Sequence, residues 1–232
     1  MSTIICIIGN KGGTGKTTLS HMLCQGFGLL GQRSACVLTD VSREPLSPDG
    51  RRYVTADGRS PEALHKVVGK LRTMQDWIGV IDGGGNRSEV DRLLDSYADI
   101  VLLPFRDSHE DMRTVRRDLE TFPRAYGLPS QWATNAWQRD AADRAVLELL
   151  GDHRDRLLHP VASLSASKLL LQKHIPASLP SNLGNACRAL ARQVMDVLET
   201  DADALGTDAH EAAHSLPAPT VLPAGYASTA HH

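Results

Sequence analysis

Apolar runs alternate with amphipathic segments along most of this chain. Short runs of consecutive apolar residues, each closed by Gly, Asp, Asn or Pro, are typical of the buried strands of a parallel sheet. Such runs span residues 3–8, 34–39, 77–81, 100–103 and 131–135. Between them, apolar positions recur at the spacing of helices that are buried on one face. The predicted helices span residues 16–30, 61–74, 89–96, 109–122, 140–150, 166–174 and 183–199. This order predicts an α/β fold with a single doubly wound, mostly parallel sheet and helices on both faces.

Two segments depart from this alternation. Residues 41–60 are rich in Pro, Gly and Arg, which predicts a long loop with a small hairpin at Tyr53–Thr55. Residues 200–232 are rich in Ala, Pro, His, Asp and Thr, and we expect them to be disordered. The predicted organisation is one domain over residues 1–199, followed by an acidic tail over residues 200–232.

Composition and charge narrow the class of protein. The 232 residues are 41% hydrophobic, which is enough for the core of one α/β domain. The net charge is −2, and residues 199–232 contain five acidic residues and no Lys or Arg, so the preceding residues carry +3. No strong positive field therefore draws the chain towards nucleic acid.

The cysteines and the apolar runs indicate the compartment. The four cysteines form no C-x-x-C pair, and we expect them to be buried free thiols. No signal peptide is visible, and no apolar run approaches the length of about 18 residues that a membrane span needs. We therefore expect a cytoplasmic protein with no membrane partner.

A glycine-rich segment joins the first predicted strand to the first predicted helix. Residues 9–18 read G-N-K-G-G-T-G-K-T-T. At such a junction, backbone N–H groups and the positive end of a helix surround an anion. In a phosphate-binding loop, the lysine reaches the β- and γ-phosphates and the next hydroxyl binds Mg²⁺. The sequence therefore predicts a site for ATP and Mg²⁺. The predicted nucleotide-binding residues of the loop are Gly12, Gly13, Thr14, Gly15, Lys16, Thr17 and Thr18.

The segment K-G-G-T-G-K-T-T, residues 11–18, resembles the deviant P-loop of the ParA/MinD family, the ATPases that position plasmids, chromosomes and other cargo. The resemblance extends over roughly residues 1–198 and includes strand order, acids at two strand ends and a closing helix after Ile175-Pro176. It implies a homodimer with two ATP molecules sandwiched between the protomers. Lys11 matches the lysine that reaches the partner's phosphate, where a second cation would stabilise the charge of the transition state.

The resemblance also implies roles outside the loop. Asp40 ends the second predicted strand and matches a switch carboxylate near the metal. Asp82 ends the strand W-I-G-V-I-D and resembles the Walker B aspartate. Asn135 resembles the family's base-contacting asparagine, and an ordinary turn asparagine fits the same position. The predicted catalytic residues are Lys11, Lys16 and Asp40. The predicted metal ligands are Thr17, Asp40 and Asp82.

Two positions depart from the expected patterns. Asn10 stands where the standard P-loop has glycine. Ser42 stands where the family usually has a second switch aspartate, which orients the attacking water. Because a hydroxyl is a weak proton acceptor, we expect slow hydrolysis.

The resemblance implies a switch ATPase of the partition or positioning type, stimulated by a partner or adaptor protein. Its membrane-binding subclass ends in a basic amphipathic helix, which the acidic end of this chain does not offer. Non-specific DNA binding would use exposed basic residues, and an ordinary solvated surface explains the same residues. The candidates are Lys66, Lys70, Arg72, Lys168, Lys173, Arg188 and Arg192.

Three alternatives to DNA partition stay open. One is an ATPase that acts only through a protein partner, as a scaffold or as an accessory of conjugation or secretion. Another is a small-molecule P-loop enzyme, which would need an additional pocket. The third, an iron–sulfur carrier ATPase, is disfavoured because it needs cysteines after Asp82 that converge at the dimer face, and none follows that residue directly.

Overall fold

The computed structural model describes residues 2–9, 11–84, 88–176 and 178–214, with the side chains of all of these except residues 88–89 and 201–214. The chain divides into two compact units, Met1–Met195 and Asp196–His232. The first unit contains the whole sheet, so the site is described within it.

The described residues form six strands and six α-helices, which alternate except that β2 precedes β3 and α5 precedes α6. The strands are β1 (Thr3–Ile7), β2 (Arg33–Leu38), β3 (Val54–Asp57), β4 (Trp77–Asp82), β5 (Ile100–Phe105) and β6 (Ala125–Pro129). The α-helices are α1 (Lys16–Leu29), α2 (Pro61–Thr73), α3 (Ser88–Tyr97), α4 (His109–Thr121), α5 (Ala136–Leu150) and α6 (Ser181–His214). Two 3-10 helices span Gly151–Arg156 and Ser165–Leu171.

All strands run parallel in one sheet of order β3-β2-β4-β1-β5-β6. Alternate residues of β1, which lies inside the sheet, face opposite layers of helices. Ile4 and Cys6 belong to a core cluster with residues of α2, α3 and α4. Ile5 and Ile7 are buried on the other face, where α1 packs so tightly on α6 that a side chain at Gly26 would overlap the carbonyl oxygen of Cys187. The predicted doubly wound fold with helices on both faces is confirmed.

Two strands differ from the sequence-based prediction. The hairpin at Tyr53–Thr55 is wrong, because Val54–Asp57 pairs in parallel with β2 as an edge strand of the main sheet. The strand at residues 131–135 is also wrong, because the sixth strand lies earlier, at Ala125–Pro129. Glycine and proline conceal it in the sequence, but Pro129 is tolerated at the end of an edge strand.

Two helices also differ from the prediction. Residues 166–174 were expected to be α-helical, whereas the chain forms a 3-10 helix at Ser165–Leu171. The last helix was expected to end at Glu199, but it continues to His214. Alanine-rich sequence without proline favours helix, and the first proline after Glu199 is Pro217. The predicted domain boundary at 199 and the disorder of residues beyond 214 stay predictions, because residues 215–232 lie outside the described part of the chain.

The four cysteines are free and buried, as expected. Within the described residues, no helix combines the length and the hydropathy that crossing a bilayer requires.

Candidate functional site

The glycine-rich loop leaves β1 and ends in the first turn of α1. Gly13 and Gly15 have φ angles of 79° and 89°, in the left-handed region that favours glycine. Gly15 is the N-cap of α1, and neither a side-chain cap nor an acidic residue occupies the first turn. The free N–H groups of this turn therefore remain available for an anion. Asn10 lies outside the described residues.

Lys16 places a buried cation inside this loop. Its Nζ donates to the carbonyl oxygens of Gly9 at 3.0 Å and of Lys11 at 2.8 Å. Burial lowers the pKa of Lys16, while the charges of Asp91, Asp82 and Asp40 oppose this effect. An ammonium held only by loop carbonyls can bind phosphate oxygens, which are stronger acceptors.

Asp82 ends β4, next to the strand that leads into the loop. The residue is only 1% exposed, and neither carboxyl oxygen has a hydrogen-bond partner among the described residues. Burial raises the pKa of Asp82 to about 6, although the hydroxyls of Thr17 and Ser20 lie near enough to oppose the rise without forming well-directed hydrogen bonds. Buried, unpartnered carboxyl oxygens beside a threonine hydroxyl fit Mg²⁺, which prefers oxygen ligands.

Asp40 follows β2 and lies at the same edge of the sheet as Asp82. Its Oδ1 accepts hydrogen bonds from the backbone N–H of Ser42 at 3.0 Å and from the Ser42 hydroxyl at 2.7 Å. These bonds lower the pKa of Asp40, with a further contribution from Arg43. Asp40 is therefore ionised at neutral pH, and a metal bound there would share its carboxylate with Ser42 and Arg43.

Because the Asp82 carboxyl is buried, we expect its replacement by asparagine to stabilise the free protein and to weaken its binding of Mg-ATP. Its pKa is about 6 in the folded protein and about 3.9 in an unfolded chain. The folded state thus bears the cost of ionisation fully above pH 6, and the cost disappears below about pH 4. We expect Asp82→Asn to raise the free energy of unfolding without Mg²⁺ or nucleotide by about 1–3 kcal/mol at pH 7.5. The gain should shrink as the pH falls towards 4.

Urea unfolding at pH 7.5 and pH 4.5 measures this effect, with the exposed Asp140→Asn as the matched control. The same Asp82→Asn variant should lose the stabilisation that Mg-ATP confers on the wild type. A loss of stability at pH 7.5 in the absence of ligand would show that the carboxylate is a structural element and not a ligand site.

Lys11 lies at the start of the loop and is paired within its own chain. Its Nζ is 2.6 Å from Oε2 of Glu110 and 3.2 Å from Oδ1 of Asp111, both in the first turn of α4. The hydrogen bond with Glu110 raises the pKa of Lys11. Burial alone would raise the pKa of Asp111, but hydrogen bonds from Arg106, Ser108 and Lys11 bring it to about 2. The predicted role of Lys11 at a second protomer would require it to leave these carboxylates.

Asn135 caps a helix in this structure. Its Oδ1 accepts from the backbone N–H groups of Trp137 at 3.0 Å and Gln138 at 3.3 Å, so it is the N-cap of α5. A cavity of about 390 Å³ beside Gly15 and Thr18 does not include Asn135 in its lining. The role of Asn135 in base binding stays a prediction.

Sequence reasoning missed the residues that line that cavity. Gln131 has a positive φ of 53° and donates from Nε2 to the carbonyl of Gly13 at 2.8 Å. Ser130 donates to the carbonyl of Thr14 at 2.7 Å. Further wall residues come from α1 (Leu19 and Met22) and from residues 161–165, Ser167, Lys168 and Leu171. No local pattern marks these residues, because they meet the loop only through the sheet.

Asp91 of α3 was also missed. It is 2% exposed, its Oδ1 has no partner among the described residues, and burial raises its pKa to about 6. Its charge acts on the Lys16 ammonium. An acid on the apolar side of an amphipathic helix was the one signal that could have identified it.

No family model and no curated protein sequence matches the chain, but solved structures share its fold. MinD cell division protein of Aquifex aeolicus has a TM-score of 0.65 at 16% identity, over 84% of this chain and 97% of that chain. The septum site-determining protein MinD of Pyrococcus horikoshii, complexed with Mg-ADP, has a TM-score of 0.60 at 18% identity, over 84% and 96%. The ParA of pNOB8, bound to nonspecific DNA, has a TM-score of 0.59 at 13% identity, over 87% and 100%. Together with the all-parallel sheet and the loop between β1 and α1, these likenesses show that the chain has the ParA/MinD-like P-loop ATPase fold.

Proposed function

We propose that this protein is an ATP-dependent dimerising switch of the partition or positioning type, which hydrolyses ATP slowly with Mg²⁺. The ATP-binding part of this proposal rests most strongly on one observation. A buried ammonium, Lys16, is held only by loop carbonyls, and an unpartnered buried carboxyl, Asp82, lies close to it beside Thr17. A cation for phosphate and oxygen ligands for Mg²⁺ at one helix N-terminus are the requirements of an ATP site.

Each residue has a defined part in this proposal. Backbone N–H groups from Gly12 to Thr18 hold the phosphates, and Lys16 binds their terminal oxygens. Thr17, Asp40 and Asp82 hold the metal, directly or through water. Bound Mg²⁺ would neutralise charge on the phosphate oxygens. Lys11 of each protomer would act on the nucleotide of the other.

We expect hydrolysis to be slow because of the residues that follow β2, where Ser42 replaces an aspartate. The Ser42 hydroxyl donates a hydrogen bond to Asp40, and its oxygen can accept one from an attacking water but is too weak a base to take the proton of that water. Glu44 is the nearest acid along the chain, and its Oε1 pairs with Arg59 at 3.4 Å. The acids of this segment that could take the place of the missing aspartate are therefore two. Glu44 is 89% exposed and lines the cavity that contains Thr17 and Asp82. Asp49 accepts a hydrogen bond from the Ser47 hydroxyl at 2.8 Å.

Non-specific DNA is the first partner we propose for the ATP-bound dimer. The pNOB8 ParA of the same fold was solved on nonspecific DNA. Exposed cations that could contact phosphates are Lys66, Lys70, Lys168, Lys173 and Arg192. Arg72 is not among them, because its guanidinium donates to the carboxylate of Asp99 and to the carbonyls of Ser2 and Tyr97.

The proposed function predicts ATP-dependent dimerisation and ATP-dependent DNA binding together. Light scattering should show a monomer without nucleotide and a dimer with Mg-ATP. Fluorescence anisotropy with duplexes of unrelated sequence should show equal affinities, present only with ATP. The affinity should fall at least about tenfold between 50 and 200 mM salt, because counterions are released from each neutralised phosphate. A chain that ends at Glu199 should bind more tightly, because it lacks four of the five acids of residues 199–232.

Two outcomes separate the candidate functions. Dimerisation without DNA binding at low salt would favour an ATPase that acts only through a protein partner. Mg-ATP binding without dimerisation would contradict the switch mechanism itself.

A further inference from the structure

The chain forms a tight turn directly after β2, and this turn brings an arginine back to the strand-end carboxylate. The backbone N–H of Arg43 donates to the carbonyl of Asp40 at 3.2 Å. Oδ1 of Asp40 is occupied by Ser42. Its other oxygen, Oδ2, lies 3.2 Å from Nε of Arg43. The guanidinium is therefore oriented through Nε, which leaves its two terminal nitrogens pointing away from this pairing.

Residues at the end of the edge strand β3 also contact this turn. Arg59 donates from Nη1 to the carbonyl oxygen of Arg43 at 2.9 Å. The Arg59 guanidinium is itself fixed by Asp57, with Nε 3.0 Å from Oδ1 and Nη2 2.8 Å from Oδ2. Asp57 belongs to β3 and pairs with Leu38 at the end of β2. Asp57 at the end of β3 and Arg59 after it thus hold residue 43 at the carboxyl edge of the sheet.

The terminal nitrogens of Arg43 make no hydrogen bond with any described residue. Other arginines of the same region use theirs inside the protein: Arg51 donates to Tyr53 and Leu170, and Arg106 to Asp111. The side chain of Arg43 is 52% exposed. A partly exposed, oriented guanidinium without acceptors is suited to bind an anionic group that enters the site.

Arg43 lies at the end of the site that contains the predicted metal ligands Thr17 and Asp82. It lines one cavity together with Thr17 and Asp82, whereas Gly15 and Thr18 line a different one. Its charge is also one of those that oppose the effect of burial on the Asp82 carboxyl. The terminal phosphate of a nucleotide bound by Lys16 and Thr17 would lie at this end.

We propose that Arg43 is a further catalytic residue, which binds the γ-phosphoryl oxygens of ATP within its own chain. This inference rests on the proposed function. As the water oxygen bonds to phosphorus and the bond to the β-phosphate oxygen breaks, charge spreads over the γ-phosphoryl oxygens and the leaving ADP; the proton of the water passes to phosphate or solvent. A guanidinium already fixed by Asp40 stabilises that charge without reorganisation. It provides electrostatic assistance in a segment where Ser42 provides no base.

The test compares ground-state and transition-state binding in the full-length protein. Arg43→Ala should lower kcat by about 100-fold or more. The Kd of a non-hydrolysable ATP analogue with Mg²⁺ should change less than about threefold, since Lys16 and the loop bind the ground state. The Kd of ADP with aluminium fluoride should weaken in parallel with kcat. Arg43→Lys should recover part of both losses, because it keeps the charge without the planar fork.

Arg33→Ala is the matched control, because Arg33 is an exposed arginine at the opposite end of β2. It should leave all three measurements at the wild-type value. Equal weakening of the ATP analogue and of the aluminium fluoride complex would assign Arg43 to binding or folding and overturn the proposal, as would an unchanged kcat. A wild type that binds no Mg-ATP would overturn the proposed function as well, so the two failures are distinguishable.

Discussion

Replacing Lys16 by alanine is expected to weaken Mg-ATP binding by at least about 100-fold, because charge-assisted hydrogen bonds contribute roughly 1.5–3 kcal/mol each and the ammonium makes more than one to the phosphates. The Lys16 Nζ donates to the carbonyls of Gly9 and Lys11. No other group can take the place of the Lys16 ammonium, since the loop has no other buried cation among the described residues.

Isothermal titration calorimetry of both proteins with Mg-ATP measures the loss, and thermal unfolding of the free variant verifies its fold. Lys66→Ala, which removes an exposed lysine of α2, should bind ATP as the wild type does. Wild-type affinity in Lys16→Ala would show that the loop is not the phosphate site.

Replacing Lys11 by alanine is expected to separate binding from turnover. We expect the Kd for Mg-ATP to stay within about threefold of the wild type, while kcat falls by about 100-fold or more and the ATP-dependent dimer is lost. The physical reason is that Lys11 lies at the outer edge of the loop, where it meets the acids of α4 and not the buried centre.

Weakening the ion pairs of Lys11 should have the opposite effect on dimerisation to removing Lys11 itself. Glu110→Gln removes the closer partner and should increase the fraction of dimer at a given Mg-ATP concentration, because less free energy is needed to release the ammonium. Light scattering and phosphate release measure both variants, with Lys70→Ala as the control. A Lys11→Ala variant that dimerises with ATP as the wild type does would rule out a role for this lysine across a dimer interface.

The fold was largely predictable because its signals are local. β1 and β4 are unbroken apolar runs, α1 has a regular apolar stripe, and Ser108 caps α4 through the N–H of Asp111. The strand β6 was missed because its signal is not local. Gly127 weakens the strand pattern, and the residue that packs closely on it, Leu157, lies 2.7 Å from where a Cβ would be, a contact made only in the folded chain.

The candidate site divides in the same way. The P-loop lysine and the strand-end carboxylates occur in short patterns whose chemistry is tied to the peptide backbone around them, so Lys16, Thr17, Asp40 and Asp82 could be named from the sequence. The partners of Lys11 lie about a hundred residues away, at Glu110 and Asp111. No spacing within the loop predicts them.

The sequence by itself determined the alternation of strands and helices, the anion site at the start of α1 and the acids at the ends of β2 and β4, because each depends on neighbouring residues. Only the tertiary structure decided the rest. Parallel pairing brings the ends of β2, β3 and β4 to one edge of the sheet, and there Arg59 and Asp57 fix Arg43 beside Asp40. The same packing places Gln131 against Gly13 and holds Lys11 on α4. These contacts join segments that are distant along the chain, and they form only when strand pairing in the sheet brings those segments together.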